Sequence, residues 1–311
     1  MTDGVPPGLE AQRGLGSEWA DWLDRLPRRR DELLEEWALA PDGAVMHGFC
    51  SLVVPVRDEA GTPVVLKVAF DGDDESEHEA LALRHWQGDG AVRLLRADPH
   101  RRALLLERLH PQDLSVLGDL EACEVVAGLY PRLHRPALPQ LRTLTSYVAR
   151  WLDQLEALGG ALPVPPRMVD QALHLGRDLV ADPDSTRVVI HGDLHYANVL
   201  AADREPWLVI DPNPMNGDAH YEVAPLLWNR WQEMQAPGHG PSLRDSIRRR
   251  FHTVVDAAGL DEGRARDWVI VRMVIDASWT LQDALRAHRD LTPQEQEWIT
   301  RCVAIVKAVQ D

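Results

Sequence analysis

Apolar positions in residues 17–39, "SEWADWLDRLPRRRDELLEEWAL", recur every three to four residues. Trp19, Trp22, Leu23 and Leu26 form one stripe and Leu33, Leu34 and Trp37 continue it, the period of an amphipathic helix. Pro27 predicts a break between two helices. The texture then changes. "GFCSLVVPVRD" (48–58) and "TPVVLKVAF" (62–70) are rich in β-branched residues and are separated by "EAG", which predicts a β-hairpin. "SEHEALALRHWQG" (76–88) predicts a helix ended by Gly88, and 91–98 and 102–109 predict two strands around a "PHR" turn. The first hundred residues therefore predict an antiparallel sheet with one inserted helix. Beyond about residue 110 the pattern is helical, over 116–134, 143–158, 167–181, 220–235, 243–258, 262–286 and 293–309. Loops are expected at "LPVPP" (162–166) and "QAPGHGPS" (235–242). One β-like island, 187–190, 198–202 and 206–211, interrupts the helices. No internal repeat or low-complexity tract stands out.

Composition narrows the class. A chain of 311 residues fits two domains or lobes, and 45% hydrophobic with 26% charged residues is an ordinary globular balance. No run approaches the roughly 18 apolar residues of a membrane span. The opening "MTDGVPPGLEAQRG" has no apolar signal segment, so a cytoplasmic location is expected. Cys50, Cys123 and Cys302 are far apart, which argues against a thiolate zinc site or a disulfide framework. The net charge of −16 disfavours nucleic acid and anionic membranes as partners. It suits a cationic small molecule, and serves solubility equally well.

The island carries the chemistry. "IHGDLHYANVL" (190–200) holds Asp193 and, five residues later, Asn198; Asp211 follows at the end of the apolar run in "WLVIDPNP". A tight connection between two strands can gather these groups at one loop edge. Asn198 and Asp211 offer two hard oxygen ligands, as Mg²⁺ prefers when water and phosphate complete its shell. Asp193 is left to face a hydroxyl. Upstream, Lys67 lies in the apolar strand "VVLKVAF", where an unpaired ammonium is costly, and Glu79 on the next helix is its candidate partner. A strand lysine held by a helix glutamate can present its charge to nucleotide phosphates.

With these residues in place, the chain from about residue 40 onward resembles the aminoglycoside phosphotransferases, the antibiotic-resistance branch of the protein-kinase-like fold. "HGDLHYAN" (191–198) has the family's H-G-D-x-x-x-x-N form, and "VIDP" (209–212) stands in place of the kinase DFG segment. With "GDAHYEVAPLLWN" (217–229), the pattern resembles the streptomycin 6-kinase and hydroxyurea-resistance subgroup. The resemblance implies a bilobal α+β fold: a helical segment over 1–40, a nucleotide-binding β-sheet lobe over 41–109, and a mainly helical lobe over 110–311 carrying the catalytic loop and acceptor site. It implies ATP and Mg²⁺ as cofactors. It makes Asp193 the catalytic aspartate, Asn198 and Asp211 the magnesium ligands, Lys67 the phosphate-binding lysine and Glu79 its partner. Glu107, Arg108 and Leu109 become the adenine-binding hinge, and His191 a structural brace. "GAVMHGFCS" (43–51) should cover the phosphates with N–H groups from Gly48 to Ser51, although it departs from the protein-kinase G-x-G-x-x-G. The five side chains are expected to converge around one nucleotide–magnesium complex.

Other readings stay open at this stage. His195 can simply brace loop carbonyls. Trp228 and Trp231 could line an acceptor pocket, and Asp218, Glu222 and Glu233 could hold cationic groups, or be solvated surface acids. "DGDDESEHE" (71–79) reads as a solvated loop running into a helix. His191, Asp193, His195 and Asp211 could instead bind a transition metal for hydrolysis, which gives Lys67 and Glu79 no purpose. A kinase fold that binds nucleotide without transfer is a third reading. As acceptor, a streptomycin-like antibiotic, hydroxyurea or an amino sugar fits the resemblance.

Overall fold

The computed structural model describes residues 4–236 and 240–310, so the centre of the expected 235–242 loop lies outside the described residues. Two compact units share the chain: residues 1–111 with 200–213, and 112–199 with 214–311.

The first unit begins with a short helix α1 (Pro7–Glu10) and a long helix α2 (Ser17–Glu36). Pro27 does not break α2. Its ring removes one backbone hydrogen bond, but Trp22, Leu23, Leu26 and Leu33 are buried on both sides of it, and their packing holds one continuous axis. That stripe joins Val54, Val56, Leu66, Val68 and Phe70 in one core, with Trp19 stacked on Phe70 at 4.0 Å. The sheet contains β1 (Ala40–Pro41), β2 (Met46–His47), β3 (Ser51–Arg57), β4 (Pro63–Ala69), β5 (Leu94–Asp98) and β6 (Ala103–Glu107). Its order is β1-β3-β4-β6-β5, with β2 paired to the near end of β3 and every pairing antiparallel. The register sets Lys67 opposite Val53 on one side and Leu104 on the other. Helix α3 (Glu79–Trp86) is inserted between β4 and β5 and ends at Gln87, which takes the left-handed conformation.

The second unit opens with α4 (Asp119–Leu133), α5 (Leu144–Leu158), α6 (Pro166–Ala181) and the short strand β7 (Val188–Ile190). The chain returns to the first unit for the ribbon of β8 (Val199–Ala201) and β9 (Trp207–Val209), which Val92 N–H and Gly90 C=O tie to Val209. Then β10 (Met215–Gly217) pairs antiparallel with β7, and α7 (Ala224–Leu227), α8 (Trp231–Gln235), α9 (Leu243–Ala258), α10 (Glu262–Arg286) and α11 (Pro293–Gln310) follow. The core of this unit gathers Leu144, Tyr147, Leu152, Ile190, Met215, Trp268, Val271 and Ile275. The expected single helix over 220–235 is a correction: a 3₁₀ turn, α7 and α8 occupy that span. Pro225 sits in the first turn of α7, where its missing N–H costs no helix bond. Arg230 turns left-handed (φ 50°) while its guanidinium donates to Leu117 C=O, and Asn229 is held by Arg250 and by Tyr196 N–H. Among the described residues no helix is long and apolar enough to cross a membrane.

Candidate active site

In the first unit, β4 brings Lys67 to a buried position where its ammonium donates to Glu79 Oε2 at 2.6 Å and Asp211 Oδ1 at 2.5 Å. Burial opposes the lysine's charge, but Asp211 and Glu79 outweigh it and hold its pKa above the usual value. Burial pushes Glu79 up to about 7 against the pull of Lys67. Asp211 stands just beyond β9 with φ 57°, a left-handed conformation that aspartate tolerates better than most residues. Its carboxylate is nearly half exposed, in contrast to its two partners.

The segment over 43–51 forms a tight hairpin. Gly48 N–H donates to Ser51 C=O at 2.9 Å, which closes the turn and leaves Phe49 exposed at its tip. This corrects one expectation: the Gly48 N–H is consumed by the turn, and Ser51 is buried at the start of β3. The 107–109 segment is pinned from both sides. Arg108 folds over the sheet to Val56 C=O, Val64 C=O and Asp42, and Arg204 grips the Glu107 carboxylate while donating to Gly88 and Ala91 C=O. Glu107 N–H donates to Arg93 C=O, and the Leu109 peptide groups have no partner among the described residues. The 71–79 stretch is not simply solvated: Asp71 pairs with Arg29, Asp73 accepts from Cys50 and Ser76, and Glu79 is buried.

In the second unit, β7 delivers the 191–198 loop. His191 is fully buried and its Nδ1 takes the Asp193 N–H at 3.3 Å; Asn198 Nδ2 donates to Asp193 C=O at 2.8 Å. The Asn198 amide oxygen is thus turned from that bond, and the Asp193 side chain is left one-third exposed. Its carboxylate lies 3.5 Å from His195 Nε2 and 3.4 Å from Arg272 Nη2. Gly192 takes φ 84°, which favours glycine, and its N–H donates to Glu222 Oε1 at 2.7 Å. Burial works to raise the Glu222 carboxyl, but His134, His191 and the Gly192 N–H bring it below its ordinary value. Among the described residues no group of three His, Cys, Asp or Glu side chains is arranged to hold a metal, so a zinc-type set of His191, Asp193 and His195 is not formed. Asn198 in the second unit and Asp211 in the first each offer a hard oxygen, the donor type that Mg²⁺ prefers.

Among the acids weighed for the acceptor, Asp218 and Glu222 are a correction to the reading as solvated surface groups, because both are buried. Asp218 is buried and saturated: one oxygen accepts from His220 and the other from Arg264 and the Trp268 indole. Glu222 is occupied with the loop backbone, and Trp231 is buried with Arg301 over its ring. Glu233 is exposed and paired with Arg230. Trp228 meets Trp298 edge-on at 5.5 Å and lies 5.5 Å from the Arg272 guanidinium. Sequence reading missed Arg272, Glu222's grip on the loop and Arg204. A lone arginine inside "WVIVRMVIDA" was the available signal for the first.

Comparison with known proteins shows the family. The family model described as aminoglycoside/hydroxyurea antibiotic resistance kinase matches residues 36–284. A streptomycin 6-kinase of Streptomyces griseus is 38% identical over 291 residues, spanning 91% of this chain and 92% of that protein. A hydroxyurea phosphotransferase of Kitasatospora aureofaciens is 36% identical over 275 residues, spanning 86% and 77%. Among solved structures, a spectinomycin phosphotransferase in complex with ADP and spectinomycin superposes with a TM-score of 0.62 at 16% identity, covering 91% of this chain and 98% of that one. The chain belongs to the aminoglycoside/hydroxyurea antibiotic resistance kinases, phosphotransferases with a protein-kinase-like fold.

Proposed function

We propose that this kinase transfers the γ-phosphoryl group of ATP to a hydroxyl of a streptomycin-like aminoglycoside. The observation that carries the nucleotide half is the Lys67 ammonium held between Glu79 and Asp211. That clamp holds the ammonium in a fixed position, which supports the reading because phosphoryl transfer depends chiefly on positioning and charge neutralisation. Asn198 and Asp211 would hold magnesium, which supplies further neutralisation of the phosphate oxygens. The Phe49 and Cys50 N–H groups at the hairpin tip and the Leu109 peptide are the backbone groups left to meet the nucleotide's phosphates and base.

Asp193 receives the acceptor. Its carboxylate accepts the hydroxyl proton as the oxygen attacks phosphorus; the new O–P bond forms, the bond to the β-phosphate oxygen breaks, and ADP leaves. Glu222 and His191 hold the loop so that Asp193 is presented at a fixed height. The streptomycin 6-kinase at 38% identity supports an aminoglycoside acceptor, and the hydroxyurea phosphotransferase supports hydroxyurea as the second reading.

The test is an ADP-release assay with ATP and magnesium across streptomycin, hydroxyurea and amino sugars, with mass spectrometry of the product. A gain of one phosphate on streptomycin is expected. Turnover of hydroxyurea alone would select the second reading, and no phosphorylated product from any acceptor would reject both.

A further inference from the structure

The middle of helix α10 is buried without a break from Trp268 to Ser278, yet it carries Arg272. The side chain is more than nine-tenths buried, between Val271 and Met273, which are fully buried. Its guanidinium lies 4.6 Å from the Tyr221 ring and 5.5 Å from the Trp228 ring. Nη2 reaches Asp193 Oδ1 at 3.4 Å, while Nε and Nη1 are buried with no hydrogen-bond partner among the described residues. Burial opposes its charge, but the oxygens of Tyr221, Asp276 and Asp193 hold the pKa above its usual value.

As a purely structural residue, Arg272 makes little sense. A buried guanidinium with two unpaired donors costs stability, and an apolar side chain of similar volume would pack the same space without that cost. What the arginine touches explains its presence. Asp193 has its backbone fixed from both sides, by His191 Nδ1 on the N–H and Asn198 Nδ2 on the carbonyl. Its carboxylate is one-third exposed and free to rotate about its own bonds except for two neighbours, His195 and Arg272. His195 is itself partly exposed, whereas the Arg272 guanidinium is buried against the Tyr221 and Trp228 rings.

We propose that Arg272 is a positioning residue for Asp193: its Nη2 holds one carboxylate oxygen so that the other faces the acceptor hydroxyl. The contact tightens as the acceptor docks, as catalytic contacts often do. The proposal rests on Asp193 being the group that receives the acceptor, and extends that reading from the loop to a residue 79 positions downstream on α10.

Steady-state kinetics on Arg272→Gln and Arg272→Lys test it, in the wild-type and Asp193→Asn backgrounds, with ATP and streptomycin or hydroxyurea, whichever the wild type turns over. Arg272→Gln is expected to lower kcat about 100-fold with the acceptor KM within about threefold, a loss typical of a misplaced catalytic group. Arg272→Lys, which keeps a cation, is expected to recover about tenfold of that loss. In Asp193→Asn, neither change should lower the residual rate further, because the two residues act as one unit. An unchanged kcat, a rise in acceptor KM alone, or a full additional loss in Asp193→Asn overturns the proposal. If Arg272→Gln does not fold, Arg272→Lys against Asp193→Asn gives the same test. A further arm needs no acceptor: the ¹⁵Nε–H resonance of Arg272, assigned by its disappearance in Arg272→Lys, should shift in Asp193→Asn, and an unmoved resonance also overturns the proposal. Wild-type activity retained in Asp193→Asn would instead defeat the underlying reading of the site.

Discussion

The ammonium of Lys67 meets the carboxylate of Asp211 at 2.5 Å, although 144 positions separate them in sequence. Glu79 closes the other side at 2.6 Å. The lysine is thereby fixed by two acids of different exposure: Glu79 is buried and serves only the lysine, whereas Asp211 is nearly half exposed. Lys67→Met removes the cation and leaves Glu79 buried with nothing to offset it. We expect kcat/KM for ATP to fall about 10²–10³-fold, the range for losing one preorganised charge contact. Stability should drop by about 3 kcal/mol in denaturant unfolding, moderated because Glu79 can take up a proton. Glu79→Gln should cost less in both measurements, since Asp211 still holds the ammonium. Wild-type kcat/KM in Lys67→Met would remove the lysine from the nucleotide site.

Asp193→Asn separates acceptor chemistry from nucleotide binding. The amide keeps the size of the side chain and leaves the His191 and Asn198 contacts to the backbone of residue 193 in place. Loss of a general base costs about 10²–10⁴ in kcat. The dissociation constant for ATP, measured by titration calorimetry, should stay within about twofold, because the groups proposed to hold the nucleotide are untouched. A large loss of ATP affinity would mean that residue 193 serves the nucleotide and not the acceptor.

Local signals were readable in the sequence where local physics decides. The β3–β4 hairpin follows from β-branched runs around a short turn, and Lys67 stands out because an ammonium in an apolar strand demands an acid nearby. Long-range contacts were not readable. Pro27 argued for a break that the packing of Trp22, Leu26 and Leu33 overrides. The helix interruption near Arg230 depends on Leu117 and Arg250, more than a hundred and about twenty positions away respectively. Asp218 and Glu222 looked like surface acids because charge predicts exposure. Their partners, Arg264 and the Gly192 N–H, lie 46 and 30 positions away and become visible only in the fold.

Asp218 also makes stability depend on pH. Burial works to raise its pKa, but the His220 side chain and N–H and the Trp268 indole bring it down to about 2 from 3.8. A carboxylate whose folded pKa is depressed contributes stability that is present above its unfolded pKa and lost as pH falls through the folded one. The window is therefore from about pH 4 down to about pH 2, and the contribution is about 2 kcal/mol. Asp218→Asn should be less stable than the wild type at neutral pH, with the gap narrowing across that window. Urea unfolding at a series of pH values measures it, and a gap of constant size would show that the ionised form of Asp218 is not what the fold requires.

Gly217 shows how a residue outside the chemistry can set the catalytic loop. It lies in β10 opposite Val188, and a Cβ there would press into Ile190 Cδ1 and lie 2.7 Å from Cγ1. Ile190 is fully buried among Leu144, Tyr147 and Met215, so it cannot turn aside without disturbing the core. It is also the residue immediately before His191, so any shift is passed directly to the loop bearing Asp193. Gly217→Ala should cost about 1–3 kcal/mol through overpacking. It should also lower kcat while leaving ATP affinity near the wild-type value. Ile190→Val removes the Cδ1 that the new methyl meets, and by itself costs about 0.5–1.5 kcal/mol. If the clash is the cause, the double variant Gly217→Ala/Ile190→Val should be more stable than Gly217→Ala alone and should regain kcat. Simple addition of the two losses would place the effect of Gly217 elsewhere, in the backbone freedom of β10.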